Sequence, residues 1–195
     1  MKATDFLRRD HRAIEALFAE CREATGQRKT AIIEQIRTDL RLHSTVEEEI
    51  FYPAVRAHVG RNLMNEADEE HHVARVLIAE LDRDGRANDH RDAKFTVLSE
   101  SVRHHIKDEE GEVLPKAKEL KMDFEALGRR MLQRKASLKK DGVPSDAEHA
   151  MVAAAKGGGD TPAATARRRA SSTVRNSRKE KKAPSRKTRA RPSGR

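Results

Sequence analysis

The stretch HSTVEEEIFYP at residues 43–53 returns as HIKDEEGEVLP at residues 105–115, and this recurrence decides the fold. In each copy a glutamate follows a histidine four residues later, His43 with Glu47 and His105 with Glu109, and each copy closes on a proline, Pro53 or Pro115. Residues four apart lie on one face of an α-helix about one turn apart, so each pair projects in one direction. The stepping around each pair is otherwise apolar. It runs Ile36, Leu40, His43, Glu47, Ile50, Ala54, Ala57 in one copy and Phe95, Leu98, Val102, His105, Glu109 in the other. Both pairs are therefore expected to face a core.

A second repeat precedes the first. DHRAIEALFAE at residues 10–20 aligns with EHHVARVLIAE at residues 70–80, placing His11 over His71 and one L-x-A-E over the other. The offsets, 60 residues for this repeat and 62 for the first, are nearly equal. The chain thus reads as two related helical hairpins with approximate twofold symmetry, each supplying the same polar groups.

Working outward, Thr4 or Asp5 can cap a first helix through Leu7, His11, Ile14, Phe18 and Cys21 that ends near Gly26. The second spans about residues 29–58 and is closed by Gly60. The third covers roughly residues 66–83 through Ala67, His71, Ala74, Ile78 and Leu81, after which residues 84–89, with Gly85, turn the chain. The fourth covers residues 91–118. Four long helices on short polar connections predict an antiparallel up-down four-helix bundle. Phe124, Leu127, Met131, Leu132 and Leu138 indicate a shorter helix packed on its outside. Pro53 and Pro115 each remove a backbone donor within a helical pattern, so a kink is expected at each.

Composition agrees with an all-α reading. Of 195 residues only 3% are aromatic, none is Trp, and 37% are charged, so the core must be built from Leu, Ile, Val and Ala. Residues 1–140 carry 27 basic and 27 acidic side chains; residues 141–195 carry 14 and 5, so the whole net charge of +9 sits in the tail. The division expected is a helical domain over residues 1–140 and a disordered tail over 141–195, whose Ala, Gly, Pro, Ser, Thr, Lys and Arg cannot bury enough surface to offset chain entropy. From Arg167 onward 13 basic residues stand against Glu180 alone, a density suited to salt-sensitive, sequence-independent binding of nucleic acid through residues 167–195. A solubilising role is the plainer alternative. The single Cys21 excludes an internal disulfide, and neither a secretory leader nor a membrane span is expected, which points to a cytoplasmic protein.

An unpartnered carboxylate among Leu and Ile costs several kcal/mol, so something cationic must compensate Glu47 and Glu109. One inward histidine alone is an ordinary core residue. With His11 and His71 arriving from the other two helices, four imidazoles and two carboxylates converge, and two metal ions bridged by the carboxylates satisfy all six. His72 and His104, beside the inward histidines, are read as surface or supporting residues; His58, His90 and His149 carry no signal. Glu48, Glu49, Glu110 and Glu112 read as a solvated acidic face, with one of them available to fix a ligand imidazole through a hydrogen bond. Cys21 reads as a small core residue rather than a redox thiol.

Taken together, DHRAIEALF, HSTVEEEIFYP, EEHHVARVLIAEL and HHIKDEEGEVLP resemble the hemerythrin-type HHE cation-binding domain over about residues 4–140. The resemblance implies a four-helix bundle with a non-haem di-iron centre, bridged by two carboxylates and an oxo or hydroxo group. Carried over residue by residue, the metal ligands are His11, His43, Glu47, His71, His105 and Glu109. Two departures matter. Oxygen-carrying members place a second histidine four residues after the first on the third helix, where this chain has Arg75, and an aspartate five residues after the last-helix histidine, where it has Glu110. One iron thus lacks a nitrogen ligand, which favours exchangeable ligands such as water, peroxide or nitric oxide over oxygen carriage. The donor set also accommodates manganese or a mixed pair. Three roles are implied: binding or sensing O2, NO or peroxide under oxidative or nitrosative stress; a redox enzyme that decomposes peroxide or NO or donates iron for iron–sulfur repair; and a DNA-associated protective protein acting through the basic tail.

Overall fold

The computed structural model describes residues 1–83 and 90–143. Residues 144–195 of the tail and the turn assigned to residues 84–89 lie outside the described residues, and Asp141, expected in the tail, closes the last helix. Seven α-helical segments are present, with no strand among the described residues: α1 (Ala3–Glu23), α2 (Gly26–Val46), α3 (Tyr52–Val59), α4 (Arg61–Arg83), α5 (Arg91–Asp108), α6 (Leu114–Lys118) and α7 (Phe124–Asp141). Two five-residue π turns, Glu47–Phe51 and Glu109–Val113, weld α2 to α3 and α5 to α6. Four long rods result, residues 3–23, 26–59, 61–83 and 91–118, and neighbours run antiparallel. None of the described helices is long and apolar enough to cross a membrane.

The core is split in two along the bundle axis. One apolar cluster gathers Phe6, Leu7, Val46, Phe51, Met64, Ala67, Val113 and Leu114; the other gathers Ile14, Phe18, Cys21, Ile36, Leu40, Ile78, Leu98 and Val102. Reading along each rod, the chain passes from one cluster to the other across a histidine: Leu7 to His11 to Ile14, Leu40 to His43 to Val46, Ala67 to His71 to Ile78, and Val102 to His105 to Val113. The direction of passage alternates from rod to rod, which is the up-down order. The four histidines therefore form one polar layer between two apolar slabs.

Each proline is accommodated by a local change of helix type. Neither stops its helix. Immediately upstream the ladder widens, with Tyr52 N–H bonding Glu47 O and Leu114 N–H bonding Glu109 O, each five residues back, and the proline enters the first turn of the following segment. A proline ring clashes with the carbonyl four residues earlier, and a π turn opens that spacing. The extra residue also advances the buried face by one position. Phe51, Val55 and Val59 are buried, Ile50 only partly, and Ala54 and Ala57, expected inward, are exposed. Helix α1 ends at Glu23, near Gly26 as expected, Gly26 itself opens α2, and Leu132 is exposed.

Helix α7 packs Leu127, Met131 and Leu138 onto the first cluster. Asp123 caps it by accepting from the Glu125 and Ala126 N–H groups at 3.0 and 2.8 Å. Gly128 permits its close approach to the chain start: a Cβ there would overlap the Met1 carbonyl oxygen and lie 2.9 Å from Ala3 N. In an open helix Gly→Ala stabilises by about 0.5–1 kcal/mol. At this site overpacking against backbone reverses the sign, and Gly128→Ala should destabilise by about 1–3 kcal/mol, read as a lowered thermal midpoint.

Candidate metal centre

Each of the six expected ligands is placed in the polar layer and buried: His11, His43, Glu47, His71, His105 and Glu109 are all at most 6% exposed. His11 Nε2 faces His43 Nε2 at 3.2 Å, and His71 Nε2 faces His105 Nε2 at 3.2 Å. Ligands on adjacent positions of one ion with bonds of about 2.1 Å stand about 3 Å apart, so each imidazole pair has the spacing of two neighbouring ligands. Glu47 Oε2 lies 3.2 Å from His43 Nε2 and 3.3 Å from His71 Nε2, and Glu109 Oε2 lies 3.1 Å from His11 Nε2. Two groups capable of holding a metal ion result, His11–His43–Glu47–Glu109 and Glu47–His71–His105, with Glu47 common to both.

The tautomers are set from behind. His11 Nδ1–H donates to Glu110 Oε1 at 2.8 Å, His71 Nδ1–H to Glu48 Oε1 at 2.9 Å, and His105 Nδ1–H to Glu70 Oε2 at 2.8 Å. Asp10 Oδ2 stands behind His43 Nδ1 at 3.8 Å and is paired with Lys135 of α7. A neutral imidazole that donates through Nδ1 presents a lone pair at Nε2. Lone pairs thus point into the layer, where all four oxygens of Glu47 and Glu109 also lack a hydrogen-bond partner. A set of buried acceptors with no aligned donor fits cations.

Glu48 and Glu110, half-exposed, thereby take the imidazole-fixing role that the sequence allowed for one of the four glutamates. Glu49 and Glu112 keep the solvated face, paired with Arg134 at 2.6 Å and Lys116 at 3.1 Å. Asp10 and Glu70 were missed as supports, although they share the position before each α1 and α4 histidine in the repeat. Tyr52 was also missed: its buried hydroxyl lies 3.4 Å from His71 Nε2 and its ring stacks on that imidazole at 5.4 Å. Burial first, then the Glu47 and Glu109 charges, hold its ionisation well above the ordinary range, so it keeps its proton. Arg75, which stands where oxygen carriers have a histidine, pairs with Glu48. His104 is exposed and lies 3.0 Å from Asp108. Cys21 is buried in the second apolar cluster, as expected.

Without metal the layer finds a substitute cation in a proton. Burial acts to lower the His11 pKa, but Glu109 and then Glu47 outweigh it and raise it to about 9. Burial would raise Glu109, and His11 instead holds it at about 2. Burial and the neighbouring Glu109 lift Glu47 well above the carboxylate range, while burial depresses His43 to about 4. A metal ion arriving below pH 9 must therefore displace the second His11 proton. Lower pH opposes binding, so apparent affinity for a divalent ion should rise at least about tenfold per pH unit between pH 6 and 8. Calorimetric titration in two buffers of different ionisation enthalpy should register the released proton; a pH-independent affinity would contradict this.

Comparison with known proteins agrees with the geometry. A solved structure of a hemerythrin HHE cation binding domain-containing protein from Mycobacterium kansasii superposes with a TM-score of 0.62 at 22% identity, covering 78% of this chain and 99% of that one. A protein of Nostoc sp. described as a DNA nickase is 27% identical over 111 residues, 56% of this chain and 32% of that protein, so the chain spans about a third of that relative's length. The hemerythrin HHE cation binding domain family matches residues 2–117, ending before α7 and short of the extent near residue 140 that the motifs suggested. The chain belongs to the hemerythrin HHE cation-binding domain family.

Proposed function

We propose that the six residues His11, His43, Glu47, His71, His105 and Glu109 hold two non-haem iron ions sharing an oxo or hydroxo bridge, and that the protein binds or senses O2, NO or peroxide. One observation carries the reading: the four oxygens of Glu47 and Glu109 are buried beside four imidazoles, with the Nε2 atoms of His11, His43 and His71 within about 3 Å, and none of the four oxygens has a hydrogen-bond partner of good geometry. When bound, the iron pair supplies an electrophilic, redox-active position for a small oxidant. The protein's own part is to hold the Nδ1 proton of His11, His71 and His105 on the carboxylate behind each ring, so that the neutral ring presents its Nε2 lone pair to a metal, and to offer the Tyr52 hydroxyl as a donor at the edge of the centre.

A cavity of about 30 Å3 adjoins the layer, with His43, His71 and His105 on one side and Leu40, Ile78, Val102 and Ile106 on the other. A single water needs roughly 10–15 Å3, so the space suits a diatomic molecule or peroxide. Its apolar walls favour uncharged ligands over bulk ions. Arg75 also lines it, and the Arg75–Glu48–His71 chain ties this wall to a ligand imidazole.

Full-length protein expressed with iron should carry about two irons per chain and absorb in the near ultraviolet through oxo-bridge charge transfer, and His105→Ala should lose both features. Iron-free protein with no such absorption would contradict the proposal.

A second reading rests on the basic composition of residues 167–195. Residues 167–195 bind nucleic acid without sequence preference, which would hold the metal domain near DNA and limit local oxidant damage. A gel shift that weakens as salt is raised, and disappears on deletion of residues 156–195, is the expected outcome. An unchanged shift after deletion would end this reading.

A further inference from the structure

The segment HHIKDEE at residues 104–110 contains two His-x3-acid pairs set one residue apart, His105 with Glu109 and His104 with Asp108. One residue rotates a helical side chain by about 100°, so the inner pair enters the layer and the outer pair emerges at the surface. His104 Nδ1 and Asp108 Oδ2 are 3.0 Å apart. Across from them on α4, Glu70 accepts from His105 Nδ1–H through one oxygen. Ligand atoms of Glu70, His104 and Asp108 all lie within 4.8 Å of one another, the span of donors around one ion with bonds of about 2.0–2.5 Å.

A second observation joins this cluster to the centre. A cavity of about 10 Å3, room for roughly one water-sized particle, is lined by Glu66, Glu70 and Asp108 and also by His105 and Glu109. Glu109 is 1% exposed and neither of its oxygens has a hydrogen-bond partner. We propose that Glu70, His104 and Asp108 form an outer site that receives a divalent cation and passes it through this cavity to Glu109. The inference rests on the metal reading above. Imidazole with carboxylates suits first-row divalent ions such as Fe2+, Mn2+ and Co2+.

Uptake is one-sided because the repeat is broken here. The positions matching His104 and Asp108 in the first hairpin are Leu42 and Val46, both buried in the cluster that α7 completes. The match for Glu70 is Asp10, which is paired with the Lys135 ammonium. A cation approaching that face meets an apolar wall and a like charge; on the α4–α5 face it meets three donors and a small cavity that Glu66, Glu70 and Asp108 line together with Leu63, Ala67 and Val113.

The test follows Co2+ uptake by metal-free full-length protein in a stopped-flow absorbance experiment, with ions per chain counted by equilibrium dialysis. The double variant His104→Gln/Asp108→Asn should still hold two ions, lose a third weakly held one, and fill at least about tenfold more slowly. Asp39→Asn, an acid on α2 outside the cluster, should fill at the wild-type rate. His104→Gln alone, at a side chain 64% exposed, serves if the double variant does not fold. Wild-type filling rates in the variants, or fewer than two inner ions in them, would overturn the outer site. Wild-type protein that takes up no Co2+ would sink the metal reading itself, a result separate from two ions taken up at an unaltered rate.

Discussion

A buried layer with more carboxylate and imidazole acceptors than protons to satisfy them governs this structure. Glu47 and Glu109 are almost fully buried, and four imidazoles are held so that Nε2 faces them. Each unpartnered carboxylate in such a place costs several kcal/mol, more than a typical core contact returns. The cost is removed only if all four rods keep the register that brings the six groups to one level. The two apolar slabs above and below are ordinary; sliding one rod by a turn would leave them apolar but would scatter the layer. The polar layer thus fixes the register, as the apolar clusters alone cannot.

The same layer stitches the two hairpins together. His11 of the first hairpin donates to Glu110 of the second, and His71 of the second donates to Glu48 of the first. His43 and His105 find their acids, Asp10 and Glu70, within their own hairpins. Four related contacts follow from a repeat of two motifs. Departures from the repeat then give the halves different chemistry. Tyr52 reaches His71 where the matching residue, Leu114, has no hydroxyl, and α7 brings Lys135 to Asp10 only.

The sequence made the rods legible because apolar stepping every three or four residues survives along 20-residue stretches, and the histidines and glutamates interrupt it at matched places. It failed where the stepping slips. The π turns before Pro53 and Pro115 insert a residue that no periodic count registers, so Ala54 and Ala57 were placed inward when Val55 and Val59 are. Glu48 and Glu110 looked solvated because a residue beside an inward glutamate points about 100° away from it, and their partners sit on the opposite hairpin. Asp10 and Glu70 were visible only as matched acids. Tyr52 gave no polar signal at all, since an aromatic in an apolar stretch reads as core.

Neutralisation of the buried layer by cations is tested most directly by thermal unfolding of the full chain with and without metal. Ferrous-loaded protein compared with protein stripped by chelator should unfold at a clearly higher temperature, since binding at about a thousand times its dissociation constant stabilises by about 4 kcal/mol. Identical midpoints for loaded and stripped protein, with no metal retained, would contradict it.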